Sequence, residues 1–268
     1  MRPAAPTAEF ASIVYGDDVP LDDPAEVFHE ASRLYPNVAP ARVAMLTALS
    51  RSPELQQTTL RASRTHDHRP GIDLPAPRLP RRRFRDLVRE RRSEAPAARA
   101  PLPLRDVATL LGAAYRVHVR DGLPRRPVPS GGGLYPLELY VLPLDVPGLG
   151  PSAFHYHPFR HRLEPVRPFV PADVAAALVD PSVADRSAVL VIVTAMVWRS
   201  RFKYGLRGYR FALLEAGHLV QNVVLTATAL AIAAVPLGGW YDRRVDELVG
   251  ADGLDEASVY AVSIGGRT

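Results

Sequence analysis

The sequence predicts a globular domain in which helices and strands share one buried core, and three observations lead there. Residues 188–196, Ala-Val-Leu-Val-Ile-Val-Thr-Ala-Met, form an unbroken apolar run with β-branched residues at its centre, which marks a central strand covered on both faces. Residues 208–235 hold the longest apolar segment, interrupted by Glu215, His218, Gln221 and Asn222 at helical spacing, so a long helix with one polar stripe is expected rather than a membrane span. A hydrophobic content of 47% with 23% charged residues over 268 positions suits a soluble chain able to bury a large core.

In chain order, residues 1–80 read as an extension. It has helical candidates over Pro24–Leu34, capped by Asp22 or Asp23, and over Pro40–Ser50, then a proline-rich extended connector from His66 to Arg83. Residues 81–268 form the main domain. From Phe84 the pattern is helical and closes at Arg91-Arg92-Ser93. Leu104, Val107, Leu110, Leu111 and Ala114 carry the spacing of an amphipathic helix, followed by a basic loop to Arg126. Leu137–Leu144 is a strand, Phe154–His157 and His161–Leu163 pair around Pro158, Pro171–Asp180 is a helix, and Ser258–Ile264 is a final strand. His155 and His157 share a strand face, but no carboxylate or third histidine joins them by pattern, so no metal site is expected.

Composition narrows the chemistry. There is no cysteine, which removes disulfides, thiolate nucleophiles and cysteine-bearing metal clusters, so redox chemistry would need an organic cofactor. The net charge of +5 favours anionic ligands, but no nucleic-acid motif accompanies it. Residues 1–10 lack the apolar core of a signal peptide, and a cytoplasmic location is expected.

Lys203 is the single lysine among 33 basic residues. Arginine stays charged in any setting, whereas a lysine responds to burial and neighbouring cations. Tyr204 adjoins it, and Arg201, Arg207 and Arg210 lie close in sequence, a setting expected to ready either group as a proton acceptor. The plainer reading is a solvated surface lysine. Pro129-Ser130-Gly131-Gly132-Gly133-Leu134-Tyr135-Pro136 bares its backbone amides to a planar ligand or a phosphate, or else is a flexible connector. It lacks the lysine of a P-loop, and a strand follows it where a dinucleotide-binding turn opens a helix. Arg91-Arg92-Ser93, the Gly238-Gly239 turn and Arg267 share this character: donors for phosphate and bare backbone for a flat ring. With Lys203 and Tyr204 they sketch a flavin mononucleotide (FMN) site beside an acid/base pair.

These motifs carry a resemblance. Arg-Arg-Ser, Pro-Ser-Gly-Gly-Gly-Leu-Tyr-Pro-Leu-Glu, Phe-His-Tyr-His-Pro, Lys-Tyr-Gly-Leu-Arg-Gly-Tyr-Arg-Phe, Glu-Ala-Gly-His-Leu-Val-Gln-Asn and Pro-Leu-Gly-Gly-Trp-Tyr-Asp occur in that order. They resemble the SagB-type thiazole/oxazole-forming dehydrogenases, azoline oxidases of the nitroreductase superfamily. The likeness runs from about Phe84 to Arg267, and more loosely into Phe28-His29-Glu30-Ala31-Ser32. It implies an α+β nitroreductase-like FMN fold with a central mixed sheet and a long buried dimer-interface helix, each flavin lying between two copies. By resemblance Arg91, Arg92, Ser93 and Arg267 hold the phosphate or ribityl chain, while Ser130, Gly131, Gly132, Asn222, Gly238 and Gly239 line the flavin. Lys203 and Tyr204 match the catalytic pair. Ala95 departs from the pattern, standing where related flavoproteins often carry a second basic residue. The implied reaction converts thiazolines or oxazolines of a ribosomal precursor peptide into thiazoles or oxazoles, beside a cyclodehydratase. A NAD(P)H-dependent nitro or quinone reductase and a flavin-binding scaffold are the alternatives.

Overall fold

The computed structural model describes residues 23–35, 47, 52, 54, 63–66 and 68–266. The chain divides into two units, Met1–Val43 and Ala44–Thr268. In the first, α1 (Pro24–Ala31) begins where expected: the Asp23 side chain accepts the Ala25 N–H at 2.7 Å, with proline at the first helical position. The helix expected over Pro40–Ser50 lies outside the described residues, apart from Thr47.

The second unit is built on a seven-stranded sheet. Its strands are β1 (Ile72–Asp73), β4 (Leu137–Pro143), β5 (Ser152–His157), β6 (Arg162–Pro168), β7 (Val189–Ala195), β8 (Ala234–Leu237) and β9 (Ala257–Ile264). The order is β1-β6-β5-β4-β7-β9-β8. Every described pairing is antiparallel, which corrects the expected mixed sheet. β4, β5 and β6 follow one another through connections of eight and four residues, too short for the crossover that parallel neighbours need.

β7 sits between β4 and β9 and is buried along its whole length. Side chains alternate across a sheet with period two. Leu139, Val141, Val191 and Val193 accordingly enter one hydrophobic core, with α3 (Leu104–Tyr115) and α7 (Arg207–Leu230). Tyr140, Leu142, Leu190 and Ile192 enter the other, which draws on α4 (Pro171–Ala176), α5 (Ser182–Arg186) and α8 (Asp242–Val249). The uninterrupted apolar run of β7 is thus explained by helices on both sides.

Three local expectations are corrected. The basic loop before Arg126 contains a hairpin, β2 (His118–Arg120) with β3 (Leu123–Arg125). Its turn is Asp121-Gly122, both at positive φ (52° and 73°), the backbone that two-residue hairpins require. The helix expected over Pro171–Asp180 stops at Ala176. Asp180 then accepts the Ser182 N–H at 3.0 Å, opening α5. The long apolar segment divides: α7 ends at Leu230, Ala231 adopts the left-handed conformation, and residues 234–237 become edge strand β8. Pro236 forbids a continuing helix but is tolerated in an edge strand. Among the described residues no helix is long and apolar enough to cross a membrane.

The connector is extended, as its prolines predict. Arg64 and His66 donate their backbone N–H groups to Glu138 and Glu164 at 2.9 and 2.7 Å, and Ile72–Asp73 pairs with β6. The second unit therefore includes this strap. α2 (Phe84–Glu90) comes next, with Phe84 and Val88 exposed.

Candidate active site

The structure brings the glycine loop and the Lys203-Tyr204 pair into contact. The loop forms a single 3-10 turn over Gly131–Gly133, with Gly132 at φ 67°. A Cβ placed on Gly132 would lie 2.6 Å from Tyr204 Oη and 2.9 Å from Lys203 Nζ, and one on Gly131 would lie 2.9 Å from the Phe211 ring. Only glycine admits both the backbone and the approach. Lys203 and Tyr204 end the short helix α6 (Trp198–Tyr204), stopped by Gly205 at φ 57°. Lys203 Nζ lies 5.3 Å from the centroid of the Tyr204 ring, which in turn meets Phe211 edge-on at 4.9 Å. Phe211 belongs to the first turns of α7. Loop, pair and long helix therefore interlock.

Beneath the loop sits a buried carboxyl group. Glu215, one turn along from Phe211, is 2% exposed and lies 3.0 Å from Tyr115 Oη. Burial pushes its carboxyl up to about 7, against the opposing effects of hydrogen bonds with Ser130 and Tyr115 and the charge of Arg126. Ser130 Oγ also accepts the Tyr135 N–H at 2.9 Å, closing the loop on itself. The Arg126 guanidinium lies 4.4 Å and 4.7 Å from the ring centroids of Tyr115 and Tyr135. In the sequence Glu215 stands only as one member of a polar stripe. Its position one turn after Phe211 was the available signal.

The other expected site residues lie elsewhere in this chain. Arg91 and Arg92 follow α2 and line a cavity of about 630 Å³ together with Val224, Thr228, Ala231 and Ala234, at the far end of α7. Phe211 and Thr228 are about five turns apart, roughly 25 Å at 1.5 Å rise per residue. Arg92 forms a two-pronged bond with Glu94 at 2.9 and 3.0 Å, which raises the guanidinium and lowers the carboxyl. Ser93 is exposed, and the next residue donates its N–H to Ala234 O at 3.0 Å. Gly238 has no heavy atom within 4 Å of its Cβ direction, so its backbone lies bare, and Gly239 approaches only Val179. Asn222, midway along α7, donates to Pro127 O at 2.9 Å. Arg267 lies outside the described residues.

The histidine strand holds a second surprise. His155 is buried, and two carboxylates do approach it: Glu138 at 2.8 Å from Nε2 and Glu164 at 3.8 Å from Nδ1. Burial opposes the His155 cation, but the bond to Glu138 and the charges of both carboxylates outweigh it and raise its pKa. Glu138 is held well below the usual carboxylate range despite its burial, by His155, Arg199 and Arg126. Among the described residues no group of three or more such side chains is placed to hold a metal. Sequence spacing could not reveal this cluster, because β4 and β6 contribute its carboxylates from separate strands.

A family model described as the nitroreductase family matches residues 88–266. The chain belongs to the nitroreductase family. Among family relatives, a Methanocaldococcus jannaschii protein named as a nitroreductase is 32% identical over 179 residues, 66% of this chain and 89% of that protein. The microcin B17-processing protein McbC of Escherichia coli is 31% identical over 157 residues, 56% of this chain. The chain spans 57% of the length of that relative. Among solved structures, the Escherichia coli microcin synthetase McbBCD complex with truncated pro-MccB17 bound contains a chain that aligns with a TM-score of 0.62. The alignment covers 92% of this chain and 95% of that one at 23% identity. That likeness is one of fold, and it agrees with a nitroreductase-like α+β architecture.

Proposed function

We propose that this protein is an FMN-dependent dehydrogenase that oxidises thiazoline or oxazoline rings of a ribosomally made peptide to thiazoles or oxazoles. The observation that carries this reading is the convergence of Lys203 Nζ and Tyr204 Oη on the glycine loop, within a nitroreductase-family chain similar to a microcin-processing protein. A cyclodehydratase that forms the azolines is the partner this reading requires.

The residues fit a flavin in two halves. Arg91 and Arg92 border a cavity of suitable size for a phosphate-bearing ligand, and the bare backbone at Gly238 leaves room for a flat ring. Ser93, Gly239, Asn222 and Arg267 complete this half in the reading, and Ser130, Gly131 and Gly132 line the ring from the other. Since roughly 25 Å of α7 separates the halves within one chain, a homodimer in which each copy supplies one half suits the reading. Tyr209, Leu213 and Leu214 leave an exposed apolar stripe on α7 for that contact.

Aromatising an azoline removes two hydrogens: a proton from a ring carbon and a hydride equivalent. Bound flavin supplies the acceptor for the hydride. In this reading Tyr204 Oη receives the proton with Lys203 Nζ beside it, and the exchange of roles between the two is the alternative. Gly132 keeps both groups at the loop surface, and the edge-on Phe211 limits the swing of the Tyr204 ring.

Lys203→Ala and Tyr204→Phe should each keep the yellow chromophore yet slow azole formation by about 1,000-fold, within the range general acid–base catalysis supplies. Mass spectrometry of an azoline-bearing peptide reads the loss of two hydrogens per ring. Full conversion by either variant would remove the pair from the mechanism. Steady NAD(P)H consumption with a nitroaromatic and no peptide oxidation would make the protein a reductase, and azole formation surviving flavin removal would make it a scaffold.

A further inference from the structure

The Lys203-Tyr204 pair and the loop it touches grow from two elements joined by one buried ion pair. Arg199 Nη1 donates to Glu138 Oε1 at 2.6 Å, with the side chains 8% and 1% exposed. Arg199 lies in the first turn of α6, four residues before Lys203, so the two side chains share a helix face one turn apart. Glu138 lies in β4, six residues after Gly132, on the strand that continues the glycine loop. The same Oε1 accepts the Arg64 N–H at 2.9 Å, and Oε2 accepts from His155 at 2.8 Å. On its other side α6 meets α7 backbone to backbone: a Cβ on Gly208 would lie 2.6 Å from the Ser200 carbonyl carbon.

We propose that Arg199 and Glu138 are positioning residues for the Lys203-Tyr204 pair: their buried bond sets the rotation and depth of α6 against the strand that carries the glycine loop. This rests on the dehydrogenase reading above. A seven-residue helix with one capping glycine has little rigidity of its own, and the close approach at Gly208 fixes its distance from α7 but not its rotation. The guanidinium fixes the rotation because its planar donors meet a carboxylate that His155 and Arg64 already hold in place. An aliphatic side chain at 199 leaves Glu138 with both those partners, so loss of the anchor need not leave a lone buried charge.

The test uses full-length flavin-loaded protein with an azoline-bearing peptide. Arg199→Met should lower kcat about 100-fold, the cost of a misplacement near 1 Å, while KM, flavin content and the rate of dithionite reduction of the flavin stay at wild-type values. Arg199→Lys keeps the charge without the fork and should regain about tenfold of that loss. A wild-type kcat in Arg199→Met overturns the proposal. So does a fall in flavin content or dithionite reduction that tracks kcat, since that is structural support alone. If Arg199→Met does not fold, Arg199→Lys decides: kcat per bound flavin must fall at constant KM, and an unchanged value overturns the proposal. Lys203→Ala is run alongside. Should Lys203→Ala stay active, the role of the pair fails; should wild type form no azole, the dehydrogenase reading fails; should Lys203→Ala be inactive while Arg199→Met equals wild type, only the positioning role fails.

Discussion

The two ends of α7 differ in how complete they are. At its start, the glycine loop, Lys203, Tyr204 and Phe211 are packed against each other, with Glu215 and Arg126 buried behind them. At its far end Arg91 and Arg92 border an open cavity, and the neighbouring turn at Gly238 is bare. On the proposed reading, a single chain prebuilds the group that moves a proton, where a small misplacement is costly, and leaves open the part that receives a charged ligand. Substitutions at the closed end should change rate or stability, and loss of the arginines at the open end should change ligand affinity.

The sharpest way to break that contrast is Gly132→Ala. The added methyl collides with the flexible ends of Lys203 and Tyr204 rather than with backbone, so the fold should survive with a stability loss of about 1 kcal/mol from the left-handed backbone. Azole formation should fall about 100-fold with flavin content unchanged, as followed by mass spectrometry and absorbance. Wild-type activity in this variant would mean that the loop and the pair do not work in contact.

Glu215→Gln probes the buried carboxyl behind the loop. With its pKa raised to about 7 in the folded state, Glu215 contributes its stability in full below its unfolded value near 4.5 and loses it as pH rises through 7. Glutamine does not titrate. The variant should therefore match wild type near pH 5 and exceed it by about 2 kcal/mol near pH 8, as urea unfolding at the two pH values would read. An equal difference at both would show that the group does not titrate there.

At the open end, Arg91→Ala should weaken flavin binding about tenfold while leaving kcat per bound flavin unchanged, measured by fluorescence titration and turnover. A fall in kcat instead would tie this end to the chemistry. The smallest effect should be Ala231→Gly, at the left-handed residue that stops α7. Relief of that backbone should raise stability by about 0.5–1 kcal/mol in thermal unfolding, with rate and affinity unaltered.

Much of this was legible in the residues. β7 could be read from its β-branched run, α3 from its apolar spacing, and the candidate pair from an isolated lysine beside a tyrosine. The β2–β3 hairpin was also legible, since Asp121-Gly122 is a turn signal, but the surrounding basic residues drew the reading towards a loop. Where α7 ends was harder, because Ile232 to Val235 suits a helix or a strand equally by hydropathy, and Pro236 constrains only its immediate neighbours. Glu138, Arg199, His155 and Glu164 could not be assembled from spacing, since they come from β4, α6, β5 and β6.

The order of residues was enough to mark the class of the fold, its central strand and its long helix, and to nominate the residues proposed to serve a flavin and move a proton, because local periodicity and side-chain chemistry are written along one dimension. It took the folded chain to show that the pair meets Gly132, that the arginines of residues 91–92 stand at the opposite end of α7, and that one buried carboxylate joins strap, strand and helix. Those facts depend on which strands become neighbours, and strand pairing is set by burying both faces of the sheet at once, a condition on the whole chain.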